Sequence, residues 1–207
     1  MTFTVLARDT RHGLIGAATA SRSLAVGASV IAVDPAVGVA ASQAWTNRAL
    51  RGRLLGAMRE GRTAAEAVAS VPTWDEGHVL RQVAALGWTS PGAARSGDAI
   101  TPWAGQSTTT DAVFAGNLLT GPEVLEAMSA AWVRSSGDLA ARLIEVLRAG
   151  EAAGGDARGR QSAAVLVASP ADTLLDLRVD DHEDPLVELG RLHRLSAAPR
   201  EVPRAVR

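Results

Sequence analysis

The sequence predicts an α+β fold in which two mostly antiparallel sheets pack face to face and helix layers cover their outer faces. Three observations favour this fold. Strand-like and helix-like segments come in blocks rather than in strict alternation. Short turns join neighbouring strands, which implies antiparallel pairing. The strands are apolar on both faces and rich in Ala and Val, which is typical of sheets that are covered on both sides.

Hydrophobic periodicity identifies the individual elements, because strands repeat every two residues and helices every 3.6. The predicted elements, in chain order, are strands 2–8, 14–20, 29–33 and 38–43, helices 47–60 and 63–71, strands 81–87, 93–100 and 111–117, helices 121–132 and 138–150, strands 162–168 and 173–179, and a last helix from residue 184.

Turn and capping residues separate these elements. Residues 9–13 predict a first hairpin, and residues 34–35 (Asp-Pro) predict a second, because proline presets the backbone angle that the turn needs. Thr63 and Glu66 have the spacing of a capping box, which predicts the start of a short helix. Pro72 is expected to end that helix, since proline disrupts a helix interior.

The later helices carry their own signals. Proline at residue 122 suits a first helical turn, and Asp138 is a predicted N-cap. The expected buried stripe of the helix over 121–132 consists of Val124, Leu125, Met128, Ala131 and Trp132. No linker or repeat divides the chain, so we expect one domain over residues 1–195. Residues 196–207 are expected to form a flexible tail.

Composition excludes several kinds of chemistry. The 207 residues include no Cys and no Tyr, and all 21 basic residues are Arg, so Lys is absent as well. These absences exclude disulfides, thiolate zinc sites, cysteine nucleophiles, Schiff bases and Walker-A phosphate sites. A net charge of −1 and an aromatic content of 3% argue against nucleic acid as a partner.

The first 20 residues do not have the pattern of a signal peptide, and the longest apolar run, residues 24–33, is too short to cross a bilayer. We therefore expect a cytoplasmic protein that has no membrane partner. We also expect no metal and no cofactor. Exposure of Trp45, Trp74 or Trp132 would favour a homodimer. The arginine stripe from Arg48 to Arg62 is either a solvated face or part of such an interface.

Thr2 is the first candidate for catalysis. Removal of the initiator Met places the Thr2 hydroxyl beside its own α-amine, whose reference pKa is near 8. Such an amine serves as a general base close to neutral pH, and the arrangement needs no Lys, Cys or Tyr. Because Thr2 begins a predicted buried strand, its position would be fixed. The alternative is an ordinary strand start, since many proteins begin with Met-Thr.

Two polar segments are candidate binding loops. Residues 154–162 bring together Asp156, Arg158, Gln161 and Ser162 with Arg160, at the mouth of a buried strand. The alternative is a solvated helix-to-strand loop with an internal Asp–Arg pair. Residues 20–28 end the second strand of the first hairpin. This places Ser21, Arg22 and Ser23 near Thr2, whereas the alternative is an ordinary strand-to-loop transition.

Residues 180–184 contain three Asp, one Glu and one His. Such a group suggests a divalent metal, but a helix N-terminus explains it better, with Asp184 as the N-cap before Pro185.

Several segments together resemble one family. They are TFTVLARD at 2–9, ASRSLAVGA at 20–28, ASQA at 41–44, PWAG at 102–105, AGNLLTGP at 115–122, GGDARGRQSA at 154–163, and LRVDDH at 177–182 with DP at 184–185. These motifs, in this order, resemble the domain of unknown function (DUF) 1028 family, which is regarded as part of the N-terminal nucleophile (Ntn) hydrolase superfamily. The resemblance covers about residues 2–195.

The resemblance implies a four-layer αββα sandwich and a catalytic N-terminal nucleophile, and Thr2 is the position that fits. It further implies that residues 20–23 and Asn117 lie beside the nucleophile, with Asn117 or backbone amides as the oxyanion hole. Gln43 belongs to the matching segments and is a candidate substrate contact. The expected function is an amidohydrolase acting on a small-molecule or peptide amide. The alternative is a non-catalytic ligand-binding or assembly module that keeps this fold.

Overall fold

A computed structural model describes residues 2–197 of the chain. The strands are β1 (Thr2–Asp9), β2 (Leu14–Ser21), β3 (Ile31–Asp34), β4 (Gly38–Ala44), β5 (Arg81–Gly87), β6 (Ala93–Ser96), β7 (Gly105–Thr108), β8 (Ala112–Asn117), β9 (Ser162–Ala168) and β10 (Thr173–Val179). The helices are α1 (Val26–Val30), α2 (Ala49–Arg59), α3 (Ala64–Ala69), α4 (Val71–Trp74), α5 (Glu123–Arg134), α6 (Leu139–Ala152) and α7 (Pro185–Ala197), and a 3-10 turn covers His78–Leu80.

The strands form two antiparallel sheets. One has six strands in the order β10-β9-β2-β1-β8-β7, and the other has four in the order β3-β4-β5-β6. Every neighbouring pair in both sheets is antiparallel. The predicted hairpins are confirmed, because β1 pairs with β2 and β3 pairs with β4. The α+β class with antiparallel sheets is therefore as the sequence predicted.

Three hydrophobic clusters show which elements pack together. The first joins the six-stranded sheet to α5, α6 and α7 through side chains such as Phe114 and Leu143. The second lies between the two sheets and includes Leu6 and Leu86. The third joins the four-stranded sheet to α2 and α3 through side chains such as Leu54. Each sheet thus buries one face against helices and the other face against the opposite sheet.

Alanines occupy the middle of the cluster between the sheets. Ala17 and Ala164 belong to the six-stranded sheet, while Ala41 and Ala84 belong to the four-stranded sheet. All four are at most 1% exposed. Because a methyl group is small, the two backbones approach closely there, and protein interiors tolerate little added volume.

We expect Ala84→Leu to lower the free energy of unfolding by about 2 kcal/mol, because overpacking a filled core forces side chains and backbone apart. Urea unfolding measures the change. The matched control is Ala65→Leu on the exposed face of α3, which should stay within about 0.5 kcal/mol of the parent protein. An Ala84→Leu protein with an unchanged urea midpoint would show that the sheets are not closely packed.

The local signals for helices are largely confirmed. Thr63 and Glu66 form a complete capping box at α3. The Asp138 side chain accepts from the backbone N–H of Ala141 (2.8 Å) and caps α6. The predicted stripe of α5 is buried at all five positions. These devices need only residues close in sequence, which is why the sequence sufficed to predict them.

Four elements differ from the prediction. The predicted strand 29–33 is instead α1 followed by β3, the strand predicted to reach residue 100 ends at Ser96, and β7 was not predicted. Pro72 was expected to end a helix that reached residue 71, but α3 already ends at Ala69, and Pro72 lies in the first turn of α4.

Long-range contacts explain α1. The backbone N–H of Val26 donates to Ser162 Oγ (3.1 Å), and that of Ala25 donates to the Asp180 carbonyl (2.9 Å). A Cβ on Gly27 would lie 2.4 Å from the Cβ of Ala164, so only glycine fits against β9 here. These partners lie more than a hundred residues away, where local periodicity gives no information.

Helix α7 extends to Ala197 and so includes the first two residues of the predicted tail, while residues 198–207 lie outside the described part of the chain. Across residues 2–197, none of the helices combines the length and the apolar character that crossing a bilayer requires.

Candidate functional site

One end of the space between the two sheets is polar and its middle is apolar, while the buried Arg8 lies toward the opposite end, where it donates to the Gly87 carbonyl. Alternate residues of each strand face this space. The inward series, each read toward the polar end, are Leu6-Thr4-Thr2, Ile15-Ala17-Thr19-Ser21, Leu166-Ala164-Ser162, Val113-Ala115-Asn117, Val39-Ala41-Gln43 and Leu86-Ala84-Gln82. Six strands therefore place their terminal polar side chains together at the same end, and each of those side chains is buried.

Thr2 lies at the centre of this polar end and is 5% exposed. Its hydroxyl donates to Ser21 Oγ (3.2 Å). In the six-stranded sheet, the backbone of Thr2 on β1 lies opposite that of Asn117 on β8. Its carbonyl accepts from Gln43 Nε2 and from Asn117 Nδ2, both at 3.4 Å. Contacts from β2, β8 and the opposite sheet thus hold Thr2 in place. The expected proximity of Ser21 and Asn117 to Thr2 is what the structure shows.

Gln82 connects the two sheets and was not identified from the sequence. Its Oε1 accepts from Gln43 Nε2 (2.6 Å) and Asn117 Nδ2 (3.1 Å). Its Nε2 donates to the carbonyl of Gly116 (2.9 Å), among other acceptors. Thr4 adds a hydroxyl that donates to Gln43 Oε1 (2.6 Å). A signal for Gln82 was present, because it is the one polar inward residue in the otherwise apolar series of β5.

Asp156 joins the two predicted binding loops. Its carboxylate accepts from the backbone N–H of Arg22 and from that of Arg158, both at 2.8 Å. The Arg158 guanidinium pairs with the same carboxylate at 3.2 Å. Ser162 donates to the Ser23 carbonyl and so ties β9 to the same segment. The Asp156–Arg158 pair was also expected if residues 154–162 formed an ordinary solvated loop. Asp156 is buried, however, so the loop is not merely a solvated connection.

Arg22 and Gln161 form the outer rim of this region. The exposed Arg22 side chain donates to Gln161 Oε1 (3.0 Å), and Gln161 Nε2 donates to Asp181 Oδ1 (3.0 Å). These contacts direct the Arg22 charge toward the surface. Arg158 is also exposed, but its guanidinium reaches Asp156 and Ser23.

A cavity of about 270 Å³ opens beside the polar end. Its lining includes Ser23, Ala44, Trp45, Asn117, Leu118 and Arg158. Ala44 (φ 67°) and Leu118 (φ 52°) have left-handed backbone conformations, which non-glycine residues rarely adopt. Each directly follows a site residue, Gln43 or Asn117. Such conformations persist where surrounding contacts impose them, and they cluster at functional sites.

A larger cavity of about 420 Å³ lies on the other face of β1 and β2, against α6. Its lining includes Phe3 and Ala20, whose side chains face the helices, and also Ser21, Asp156 and Glu151. Burial raises the pKa of the Glu151 carboxyl. Neither described lining includes Thr2. Asn117, which pairs with Thr2 in the sheet and donates to its carbonyl, lines the smaller cavity, so we associate that cavity with the Thr2 site.

Comparison with known proteins agrees with this architecture. A family model described as "Family of unknown function (DUF1028)" matches residues 2–189. The chain belongs to the DUF1028 family. The crystal structure of protein SPO2555 from Silicibacter pomeroyi, which carries the same family model, superposes with a TM-score of 0.90 at 34% sequence identity, covering 96% of this chain and 90% of that one. No curated protein matches the chain.

Residues 180–184 of this DUF1028 protein cap a helix and bind neighbouring loops. Asp184 Oδ1 accepts from the backbone N–H of Val187 (3.2 Å) and caps α7, as the sequence suggested. The His182 ring accepts from the backbone N–H of Asp184, and Asp181 binds Gln161. Within residues 2–197, no three His, Asp or Glu side chains converge in a way that would hold a metal ion.

Asp75 fixes the segment that carries Trp45. Its carboxylate accepts from Arg81 Nε (2.8 Å), Asn47 Nδ2 (3.0 Å) and the backbone N–H of Gly77 (2.9 Å). The bond from Arg81, supported by the other two, lowers the pKa of Asp75 from 3.8 to about 2. The folded state therefore gains stability from the ionised carboxylate above about pH 4 and loses it as the pH falls through 2.

We expect Asp75→Asn to lower the free energy of unfolding by about 1 kcal/mol at pH 7. The lowered pKa of Asp75 corresponds to roughly 2 kcal/mol of stability, and solvent screening reduces this contribution. The difference between parent and variant should shrink as the pH falls from about 4 to about 2, because the parent carboxylate then becomes protonated. Urea unfolding at pH 7, 4 and 2.5 measures it. Asp98→Asn, at an exposed position, is the control, and a pH-independent difference would contradict the assignment.

Proposed function

We propose that this DUF1028 protein is an N-terminal-nucleophile amidohydrolase with the four-layer αββα sandwich of the Ntn hydrolases. The observation that carries the proposal is the placement of the Thr2 hydroxyl at the polar end of the inter-sheet space, 3.2 Å from Ser21 Oγ. Asn117, the strand partner of Thr2, lines a cavity there. The substrate is a small-molecule or peptide amide. The proposal includes a cytoplasmic location and needs no cofactor.

In the proposed reaction, the Thr2 Oγ attacks the amide carbon once Met1 has been removed. A C–O bond forms while the Thr2 α-amine takes the hydroxyl proton. The amine then passes this proton to the leaving nitrogen as the C–N bond breaks, which yields an ester on Thr2 and a free amine. Water attacks the ester with the α-amine again as base, releasing the carboxylic acid and restoring the Thr2 hydroxyl.

Asn117 and Gln43 are the proposed polar partners of the transition state. Both side-chain amides make long 3.4 Å contacts with the Thr2 carbonyl, so each keeps an N–H near the reacting atoms. We propose that Asn117 Nδ2 turns from the Thr2 carbonyl to the substrate oxyanion, since preorganised donors in a buried site stabilise developing charge strongly. Its second contact, to Gln82 Oε1 (3.1 Å), would keep the amide in position.

The experiment that tests the proposal is mass spectrometry of the protein after incubation with a β-lactone that acylates N-terminal threonine. We expect an intact mass without Met1, a single added acyl group, and a peptide map that places this group on Thr2. An active preparation that retains Met1 throughout would overturn the mechanism. Failure to label any residue would favour the alternative, a ligand-binding module that keeps the fold.

A further inference from the structure

The cavity beside Thr2 has one charged group in its described lining, and that group is cationic. Arg158 is the only ionisable side chain there, while Ser23, Thr101 and Asn117 contribute neutral polar groups. Glu, Asp and His are absent from this described lining. A ligand that fills the cavity would therefore meet one positive charge without a competing acid inside the cavity.

Arg158 is held in a defined orientation. The buried Asp156 carboxylate accepts from Arg158 Nε (3.4 Å) and Nη2 (3.2 Å) and from the Arg158 backbone N–H (2.8 Å). The Asp156 side chain is 2% exposed, whereas the Arg158 side chain is 43% exposed. Arg158 Nη2 also donates to Ser23 Oγ (3.5 Å). The guanidinium is a rigid planar fork of N–H donors whose geometry matches a carboxylate. The carboxylate of Asp156 thus positions a cation that the cavity can reach.

Part of the cavity wall is apolar. Trp45, Ile100 and Leu118 line it, and Trp45 is 65% exposed. The Trp45 backbone is fixed, because its N–H donates to the Leu80 carbonyl (3.3 Å) and its carbonyl accepts from Arg81 Nη1. An indole exposed at the edge of a cavity on a fixed backbone is typical of a surface that contacts a ligand.

We infer that the substrate is a small amide with one carboxylate and one compact apolar group, of the kind found in N-acyl amino acids. Arg158 binds the carboxylate, and Trp45, Ile100 and Leu118 contact the apolar group. A volume of about 270 Å³ lies below that of most drug-sized sites, so the ligand is small. The inference rests on the proposed function, because it assigns the substrate class of the same site.

The test measures binding to the Thr2→Ala protein, in which no hydrolysis by Thr2 interferes. The probes are N-isobutyryl-, N-isovaleryl- and N-benzoylglycine, each compared with its neutral carboxamide by titration calorimetry. We expect the carboxylates to bind at least about 10-fold more tightly, since charge-assisted bidentate contacts are strong. Raising the salt concentration should reduce this preference, because Arg158 is partly exposed.

Variants test whether Arg158 causes the preference for the carboxylate probes. Arg158→Gln should bring the carboxylate and carboxamide affinities to within about 2-fold, and Arg158→Lys, which keeps the charge without the planar fork, should give an intermediate ratio. Arg11→Gln, which removes the same charge in the β1–β2 turn at the far end of β1, should keep the full preference. If Arg158→Gln unfolds on losing its pair with Asp156, Arg158→Lys and the salt series still decide the question.

Three results would overturn the inference: equal affinity for both probe types, a preference that survives Arg158→Gln, or no binding by any probe. These outcomes are separate from the labelling of Thr2. If the carboxylates bind more tightly but Thr2 is not acylated, the assignment of the pocket stands and the proposed hydrolysis is wrong. If Thr2 is acylated but the carboxylates bind no more tightly than the carboxamides, the proposed hydrolysis stands and the substrate class is wrong.

Discussion

Thr2→Ala should lower amide hydrolysis by at least about 10³-fold, because removal of a covalent nucleophile eliminates the acyl-enzyme route. Thr2→Ser should retain activity to within about 10-fold, since it keeps the hydroxyl beside the α-amine. Both proteins should fold normally, because within residues 2–197 the bond that the Thr2 hydroxyl makes is a long one of 3.2 Å to Ser21 Oγ. Initial rates on the amide substrate, together with the mass of the N-terminal peptide, measure the effect.

The matched control for this experiment is Thr10→Ala, in the exposed turn between β1 and β2. This variant carries the same chemical change at the opposite end of β1 and should hydrolyse the amide like the parent protein. A Thr2→Ala protein that keeps its full rate would show that the hydrolysis uses another nucleophile. The inter-sheet site would then be a binding site or a structural polar cluster.

Gln82→Ala should lower the free energy of unfolding by about 3–5 kcal/mol, because it leaves several buried groups without partners. The amide nitrogens of Gln43 and Asn117 lose an acceptor, and the Gly116 carbonyl loses a donor. Gln43 and Asn117 are each 1% exposed, so water cannot easily replace the lost bonds. Urea unfolding, with acylation of Thr2 as a second readout, measures the change.

Gln106→Ala is the control for Gln82→Ala. Gln106 is exposed on β7, and its side chain accepts only from Ser96 Oγ among the contacts that the structure describes. Removal of the Gln106 side chain should lower the free energy of unfolding by less than about 1 kcal/mol. If Gln82→Ala were as mild as this control, the polar end would have to admit water freely, and the description of a tightly bonded inter-sheet site would be wrong.

The sequence predicted helix caps and turns correctly where the interacting residues are close together in the chain. The capping box of Thr63 and Glu66 and the N-cap Asp138 involve partners three residues apart. The turn at residues 9–13 and the register that follows from it place Ser21 beside Thr2. The prediction missed β7, although β7 pairs with β8, the next strand along the chain, so range does not explain that failure. It also failed at α1, whose partners come from distant parts of the chain, such as Ser162 for Val26.

The candidate site could be predicted only in part for the same reason. Family-like motifs indicated Thr2, Asn117 and the loops at 20–28 and 154–162, and the structure brings these residues together. Gln82 and Trp45 were missed as site residues. Gln82 acquires its role by facing β4 and β8 at once, and Trp45 by the bonds of its backbone to β5 and the turn before it.

The sequence by itself determined the antiparallel α+β class, the elements with local caps and turns, and the exclusion of Cys, Lys and Tyr as nucleophiles. Only the tertiary structure decided that six strands end in polar residues at one place, that Asp156 positions Arg158, and that the cavity beside Thr2 holds one cation. The physical reason is range: caps and turns depend on neighbours within a few residues, whereas burial, pairing between sheets and the charge of a cavity depend on residues that the chain brings together only when it folds.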